Sequence, residues 1–393
     1  MMTSIDQILP AETGERLRLA REGVKITQAA AAQAIGVART TIVAMEQGER
    51  RARISELQQL ARLYGTSVNA LLRQESVHVD LAPRFRRMVG SDEAAAEAAE
   101  LMANLAKAEV ELENLLGIKR FRNYPPERAL LPGDVKAQAE QDATELRQRL
   151  GLGIGPVTNV VTLLEMELGV RVYVRRIDGQ ISGVFAYDDA LGACILLNAN
   201  HPRERRNHSA GHETAHFIST RREPEVLHQD ETENSREERY ANAFARAFLT
   251  PARAVLQKFQ EVTAGSERLT RRHVIILAHF FGVSREAIVR RLEELGSVKP
   301  GTWDWFMANG GITDEQARQV LGDLNGSDTE KAEADRPTTL RLNLLAYEAH
   351  RRGLMSEGQL ARLLHLDRVE LREILGSQET DGDDGNGGSE ILE

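Results

Sequence analysis

Two histidines four residues apart, with a glutamate directly after the first, constrain this 393-residue chain more than any other feature: Gly211-His212-Glu213-Thr214-Ala215-His216-Phe217. On a helix, residues i and i+4 share a face one turn apart. His212 and His216 can therefore hold one tetrahedral ion, while Glu213, about 100° further round, reaches in from the side. This is the machinery of metal-assisted amide hydrolysis, in which zinc lowers the pKa of its water to roughly 7 and a carboxylate takes the proton. His208 extends the four-residue spacing, but eight residues of helix rise about 12 Å, too far for three side chains to meet one ion at about 2.1 Å. It reads instead as a surface or gating residue.

A third ligand is expected one helix further on, in Glu237-Glu238-Arg239-Tyr240-Ala241-Asn242-Ala243-Phe244. Ala241, Phe244 and Phe248 form an apolar stripe that would dock this helix on the first. Glu238 and Asn242 lie one turn apart beside the stripe, so Glu238 can complete a coordination shell while Asn242 hydrogen-bonds a ligand histidine. Glu237 also borders the stripe, and spacing alone does not separate the two carboxylates. His228 and Tyr240 are the nearby candidates for steadying an oxyanion.

Ile195-Leu-Leu-Asn-Ala-Asn-His-Pro202, Glu204-Arg205, the Gly211 to Phe217 motif and Glu238-Arg-Tyr-Ala-Asn-Ala-Phe-Ala-Arg-Ala-Phe-Leu-Thr-Pro251 together resemble the ImmA/IrrE family of zinc metallopeptidases, over roughly residues 137 to 296. The resemblance implies that His212, His216 and Glu238 bind Zn2+ and that Glu213 is the catalytic base. It also implies a repressor protein as substrate. Gly211 stands where the family has alanine, at a cost in helix propensity of up to about 1 kcal/mol.

The charge is unevenly placed. Net charge is −9, yet residues 1 to 90 carry 13 Lys and Arg against 9 Asp and Glu, which leaves −13 for the remainder. A basic head on an acidic body points to nucleic acid at the head alone. That head reads as five short helices. An alanine-rich second helix opens at Thr27-Gln28, a turn follows at Gly36-Val37, and a third helix runs to Gly48 with Glu46 near its end. The pattern, with Leu57-x-x-Leu60-Ala61, looks like the XRE family of Cro-type helix-turn-helix domains across residues 12 to 73. In such a motif the third helix enters the major groove, so Arg39, Thr40 and Thr41 are the expected base readers and Gln28 an expected phosphate contact on a double-stranded DNA operator. Binding as a homodimer on a near-palindrome follows as an expectation.

The remaining segments are less distinctive. Residues 76–136 form a linker, with an amphipathic helix from Asp92 to Leu116 that reads as a connecting or dimerising element or a plain spacer, and a Pro-containing link at Tyr124-Pro-Pro126. Three runs, at Val170–Val174, Gly183–Tyr187 and Cys194–Leu197, predict a sheet of about three strands inside residues 137–298. An edge of that sheet beside the zinc helix would suit an extended protein substrate. Echoes of the helix-turn-helix spacing at His273–Leu292 and Ser356–Leu375 read as packing or sensing modules, the second within a C-terminal helical module at 299–376. Residues 377–393, acidic and glycine-rich, read as a disordered tail.

With 41% apolar residues the chain can build real cores, and the expected fold is mainly α with a small β-sheet (α+β), a helix-turn-helix domain at 1–75 followed by a zincin-like metallopeptidase domain. No apolar run reaches the length of a membrane span, no leader opens the chain, and the one cysteine, Cys194, suits a reducing cytosol; the expectation is a cytoplasmic protein with no membrane partner. The function expected is a transcriptional regulator whose zinc endopeptidase cleaves a repressor or partner protein in a stress or phage-related response. The alternative is a non-catalytic regulator whose metallopeptidase-like body senses a ligand or partner. A broad degradative protease is disfavoured, because it would have no use for a DNA-binding head.

Overall fold

A computed structural model describes residues 10–66, 68, 71, 92–157, 159–228, 235–264, 268–322 and 338–379. Its Cα framework divides into two compact units, one comprising residues 1–78, 105–120 and 341–393, the other residues 79–104 and 121–340.

In the first unit, helices α1 (Pro10–Gly23), α2 (Gln28–Ala34), α3 (Arg39–Glu46) and α4 (Ile54–Leu63) enclose a core of Leu17, Ala31, Ala32, Ile42, Met45, Leu57, Leu60 and Leu71. Thr27 caps α2 by accepting a hydrogen bond from the Ala30 amide at 3.1 Å. Gly36, at φ 69°, makes the left-handed turn that redirects the chain into α3. Gly14 is required by close approach: a Cβ there would lie 2.4 Å from the Met45 carbonyl oxygen, so α1 crosses α3 with no room for a side chain. The expected fifth helix falls on residues 67–72, of which only Val68 and Leu71 are described.

Helix α5 (Glu93–Leu116) confirms the long amphipathic stretch. Met102, Leu105, Ala106 and Leu112 on it are buried within the one chain. Arg120 bonds the buried carboxylates of Glu109 and Glu113, and Arg341, at the start of the C-terminal helices, reaches Glu113 at 3.0 Å.

The second unit holds the sheet. After α6 (Val135–Arg149) and α7 (Val160–Leu163), which runs into a π-helical turn at Leu164–Leu168, come β1 (Arg171–Arg175), β2 (Ile181–Asp188) and β3 (Gly192–Asn198). A fourth strand, β4 (Glu225–His228), completes a mixed sheet of order β1-β3-β2-β4, with β1 parallel to β3 and the other pairs antiparallel. The sequence reading stopped at about three strands because β4 is four residues long and offers only Val226 and Leu227 as apolar signal. Every residue of β3 is buried, which explains its continuous apolar run: it lies inside the sheet, with β1 and β2 on its flanks.

Helices α8 (Arg203–Ser219) and α9 (Arg236–Leu249) follow, then α10 (Ala252–Val262), α11 (Arg271–Phe281), α12 (Arg285–Glu294), α13 (Thr302–Ala308) and α14 (Asp314–Leu321). Phe217, Phe244, Phe248, Val172, Phe185 and Ile195 share one core with residues of α6, α11, α12 and α14. Tyr124, in the Pro-containing link, packs edge-on against Phe217 at 4.9 Å and accepts a hydrogen bond from the Ala193 amide, so this stretch belongs to the sheet's unit.

The C-terminal helices α15 (Leu340–Arg351), α16 (Glu357–Leu363) and α17 (Arg368–Glu379) lie almost wholly in the first unit. Ser356 caps α16 as Thr27 caps α2, and His365 takes φ 52° where the N-terminal motif has Gly36. The helix-turn-helix spacing read from the sequence is thus realised in geometry. Helix α17 extends into the first residues of the expected tail, and residues 380–393 lie outside the described residues. No described helix is long and apolar enough to cross a membrane.

Candidate metal centre

Helix α8 is buried on nearly all sides from Arg206 to Ser219, yet it carries His212, Glu213 and His216 at 0%, 0% and 1% exposure. Polar groups enclosed to that degree must find partners. His212 Nδ1 lies 3.2 Å from Asn242 Oδ1, and His216 Nδ1 lies 3.2 Å from Thr220 Oγ1. The Thr220 hydroxyl points its own proton toward the His216 carbonyl, so its oxygen accepts from the ring. Both Nδ1 atoms are therefore donors in the tautomer these partners select.

That assignment leaves both Nε2 lone pairs facing inward, 3.1 Å from each other. Each is also 3.3 Å from an oxygen of the Glu238 carboxylate. Three electron-rich atoms at such separations repel unless positive charge lies between them. A proton on Nε2 is one solution, and in that state hydrogen bonds from His212 and His216 outweigh burial and hold the Glu238 carboxyl below the usual carboxylate range. A divalent ion is the other. Two ligands bound to zinc at about 2.0–2.1 Å in a tetrahedron are about 3.3 Å apart. The donors already stand at that spacing, and the His-His-Glu group fits a zinc site.

The placement of α9 brings Glu238, and not Glu237, beside the two histidines. Ser235 caps α9 by accepting from the Glu238 amide at 2.9 Å, which puts Glu238 in the first turn against α8; Glu237 is outside the cluster. Gly211 permits the close approach, since a Cβ there would come within 3.1 Å of the Ala245 Cβ. Its cost to helix propensity is offset by letting α8 and α9 close on the donors. Thr220 was missed: it ends α8 one turn after His216, a position with no distinguishing signal in the sequence.

Glu213 extends from α8 toward the sheet. Its Oε1 lies 2.6 Å from where a Cβ on Gly183 would be, so β2 carries glycine where the carboxylate presses on it. The β2–β4 register shifts at this point, between Ile181 and Gly183.

A cleft of about 1390 Å³ opens beside the cluster, with Glu238 and Asn242 in its wall. His208, Arg205 and Arg246 also line it, together with Ser182, Leu227 and His228. Burial, then the neighbouring Arg246 and Arg205 charges among others, push the His208 imidazole down to about 3. His228 is half-exposed there and bonds Asp92 Oδ2 at 2.8 Å. Tyr240 is not at the cleft: it is fully buried, and its hydroxyl donates to Asp142 at 2.9 Å, which removes it as an oxyanion candidate.

On the helix-turn-helix, Arg39 and Thr40 are exposed at the start of α3, and Thr41 is half-buried. Gln28 is engaged within the fold, donating to Glu46 Oε2 at 2.8 Å. The same carboxylate group is bonded by the buried Arg21 at 2.7 and 3.0 Å.

Residues 165–293 match the family described as the IrrE N-terminal-like domain, Peptidase M78, and residues 17–71 match the helix-turn-helix family. No curated protein sequence matches the chain. Among solved structures, ComR from Streptococcus suis is similar over 95% of both chains at 11% identity with a TM-score of 0.16, a likeness too loose to bear on the fold.

Proposed function

We propose, from the premise that an IrrE N-terminal-like domain follows a helix-turn-helix DNA-binding domain in this chain, that it is a transcriptional regulator with a zinc-dependent endopeptidase directed at a repressor or partner protein. What carries the reading is the pair of inward-facing Nε2 atoms beside Glu238, with both Nδ1 atoms bonded elsewhere. His212, His216 and Glu238 would hold the ion. Two imidazoles and a carboxylate suit zinc among the common divalent metals. When bound, it would supply the electrophile that acidifies a water and polarises a peptide carbonyl.

The chain's own residues do the rest. Asn242 and Thr220 fix the two rings with Nε2 forward. Glu213, fully enclosed on the next position of the same helix, takes the proton from the attacking water and returns it to the departing amine. His228, on the cleft wall, would donate to the developing oxyanion on exchanging its bond to Asp92 for the substrate. The outer edge of β4, whose Leu227 and His228 line the cleft, offers an extended substrate a strand to pair with. Arg39, Thr40 and Thr41 read the operator, and a homodimer would present two such helices to a near-palindrome.

The experiment compares new protein N-termini by mass spectrometry in cells carrying the wild type or Glu213→Gln, under DNA damage and phage challenge. A terminus that appears only with Glu213 identifies the substrate. Identical termini with unchanged gene control would replace this reading with a non-catalytic sensor.

A further inference from the structure

The facing rows on α8 and α9 do not stop at the metal donors. His216 meets Glu238 at 3.3 Å, and one turn away His212 meets Asn242 at 3.2 Å. Gly211 then packs on Ala245, and a turn beyond these the rows present His208 and Arg246, both on the cleft wall with Arg205. Arg205 donates to Ser182 Oγ at 3.4 Å, and Arg246 pairs with Glu294 at 3.2 Å. These contacts fix the two guanidinium groups, each an array of five N–H donors, on the wall that also carries His208.

The cleft wall carries other groups as well. Arg285 and Arg290 on its wall are paired with Asp314 and Asp304. The same wall carries Ile275, Val283, Trp303, Ile312 and Leu321. Arg205 and Arg246 share the wall with Glu204 and Glu286, and Arg246 is partly offset by Glu294; the two guanidinium groups near His208 suit a segment with an acid near its scissile bond and apolar side chains elsewhere.

We infer that Arg205, His208 and Arg246 form a carboxylate subsite that selects an acidic residue about two positions from the bond to be cut. The offset follows from geometry. His208 is one helical turn from His212, about 6 Å along the axis, and an extended chain advances about 3.3 Å per residue. The carboxylate belongs either to an Asp or Glu side chain within the substrate or to its free C-terminus. The inference rests on the proposed peptidase activity for its meaning, though the subsite binds an anion whether or not cleavage follows.

The test uses the zinc-loaded full chain and a library of extended peptides about twelve residues long, prepared both C-terminally amidated and free. Cleavage by the wild type is read by sequencing products, and capture is read separately on Glu213→Gln. Asp or Glu should be enriched two positions from the cut by about tenfold in the amidated set, and Arg205→Glu should lose that preference or shift it to Lys and Arg. Enrichment confined to free C-termini would assign the subsite to a terminal carboxylate. Capture of acidic peptides by Glu213→Gln that Arg205→Glu abolishes in the same background, without any cleavage by the wild type, would keep the subsite and overturn the peptidase reading. Cleavage or capture indifferent to acidic residues, or a preference unchanged in Arg205→Glu, would overturn the subsite.

Discussion

The two functional regions of this chain use helix pairs in opposite ways. At the candidate metal centre the polar side chains are the buried ones: His212, His216, Glu238 and Glu213 are enclosed, and the spacing of the two Nε2 atoms and the Glu238 carboxylate makes sense only with positive charge among them. In the helix-turn-helix the polar side chains that are buried, Arg21 and Glu46, do structural work and hold Gln28, while Arg39 and Thr40 face solvent at the start of α3. A metal site must be pre-assembled because its donors converge on a point. A DNA-reading helix need only be presented rigidly, since its partner brings the remaining groups.

Substitutions can break that contrast. The largest effect is expected from Glu213→Gln, which should lower peptide hydrolysis by about 10²–10⁴-fold while leaving zinc content unchanged. Loss of zinc in this variant would mean that Glu213 is a ligand and that the base is elsewhere. On the other side, Glu46→Ala strands a buried Arg21 and should destabilise the helix-turn-helix by about 3–5 kcal/mol, read as loss of DNA binding together with an earlier unfolding transition. Normal DNA affinity and stability in that variant would contradict the structural role given to the pair.

Gly183→Ala sharpens the account of the base. The new Cβ would press on Glu213 from 2.6 Å, and a displacement of that kind should cost about 10²-fold in hydrolysis with zinc retained. Arg39→Ala should lower operator affinity by about 1–3 kcal/mol and relax preference at one base pair, with no change in thermal stability. The smallest effect is expected for Thr220→Val, which removes the acceptor for His216 Nδ1. Zinc affinity should fall about 10–100-fold in a competition titration with a chelator.

The sequence made the candidate site legible because chemistry dictates its spacing: His212 and His216 as donors and Glu213 as base need a helix, and a helix fixes where each one faces. Spacing alone narrowed the third position only to one of two adjacent carboxylates, since the choice depends on how α9 packs on α8; the family resemblance was what pointed to Glu238. Gly211 looked like a defect in a helix and is a point of close approach. Gly183 and Thr220 carry no local pattern; their roles exist only when β2 and the end of α8 reach the site. Strand β4 was hidden by its length. Tyr240 shows the reverse error, a polar group close in sequence to the site whose hydroxyl is turned to Asp142 in the core. Gln28, expected from its motif position to meet phosphate, also donates to Glu46, 18 residues away, a contact that the motif does not announce.

The most direct measurement is the zinc content of the purified chain and of His216→Ala, by inductively coupled plasma mass spectrometry after dialysis. The wild type should carry zinc at one ion per chain, and the variant should carry almost none while keeping its helical content. Equal zinc in the two proteins would contradict the claim that the inward-facing Nε2 atoms and Glu238 are metal ligands.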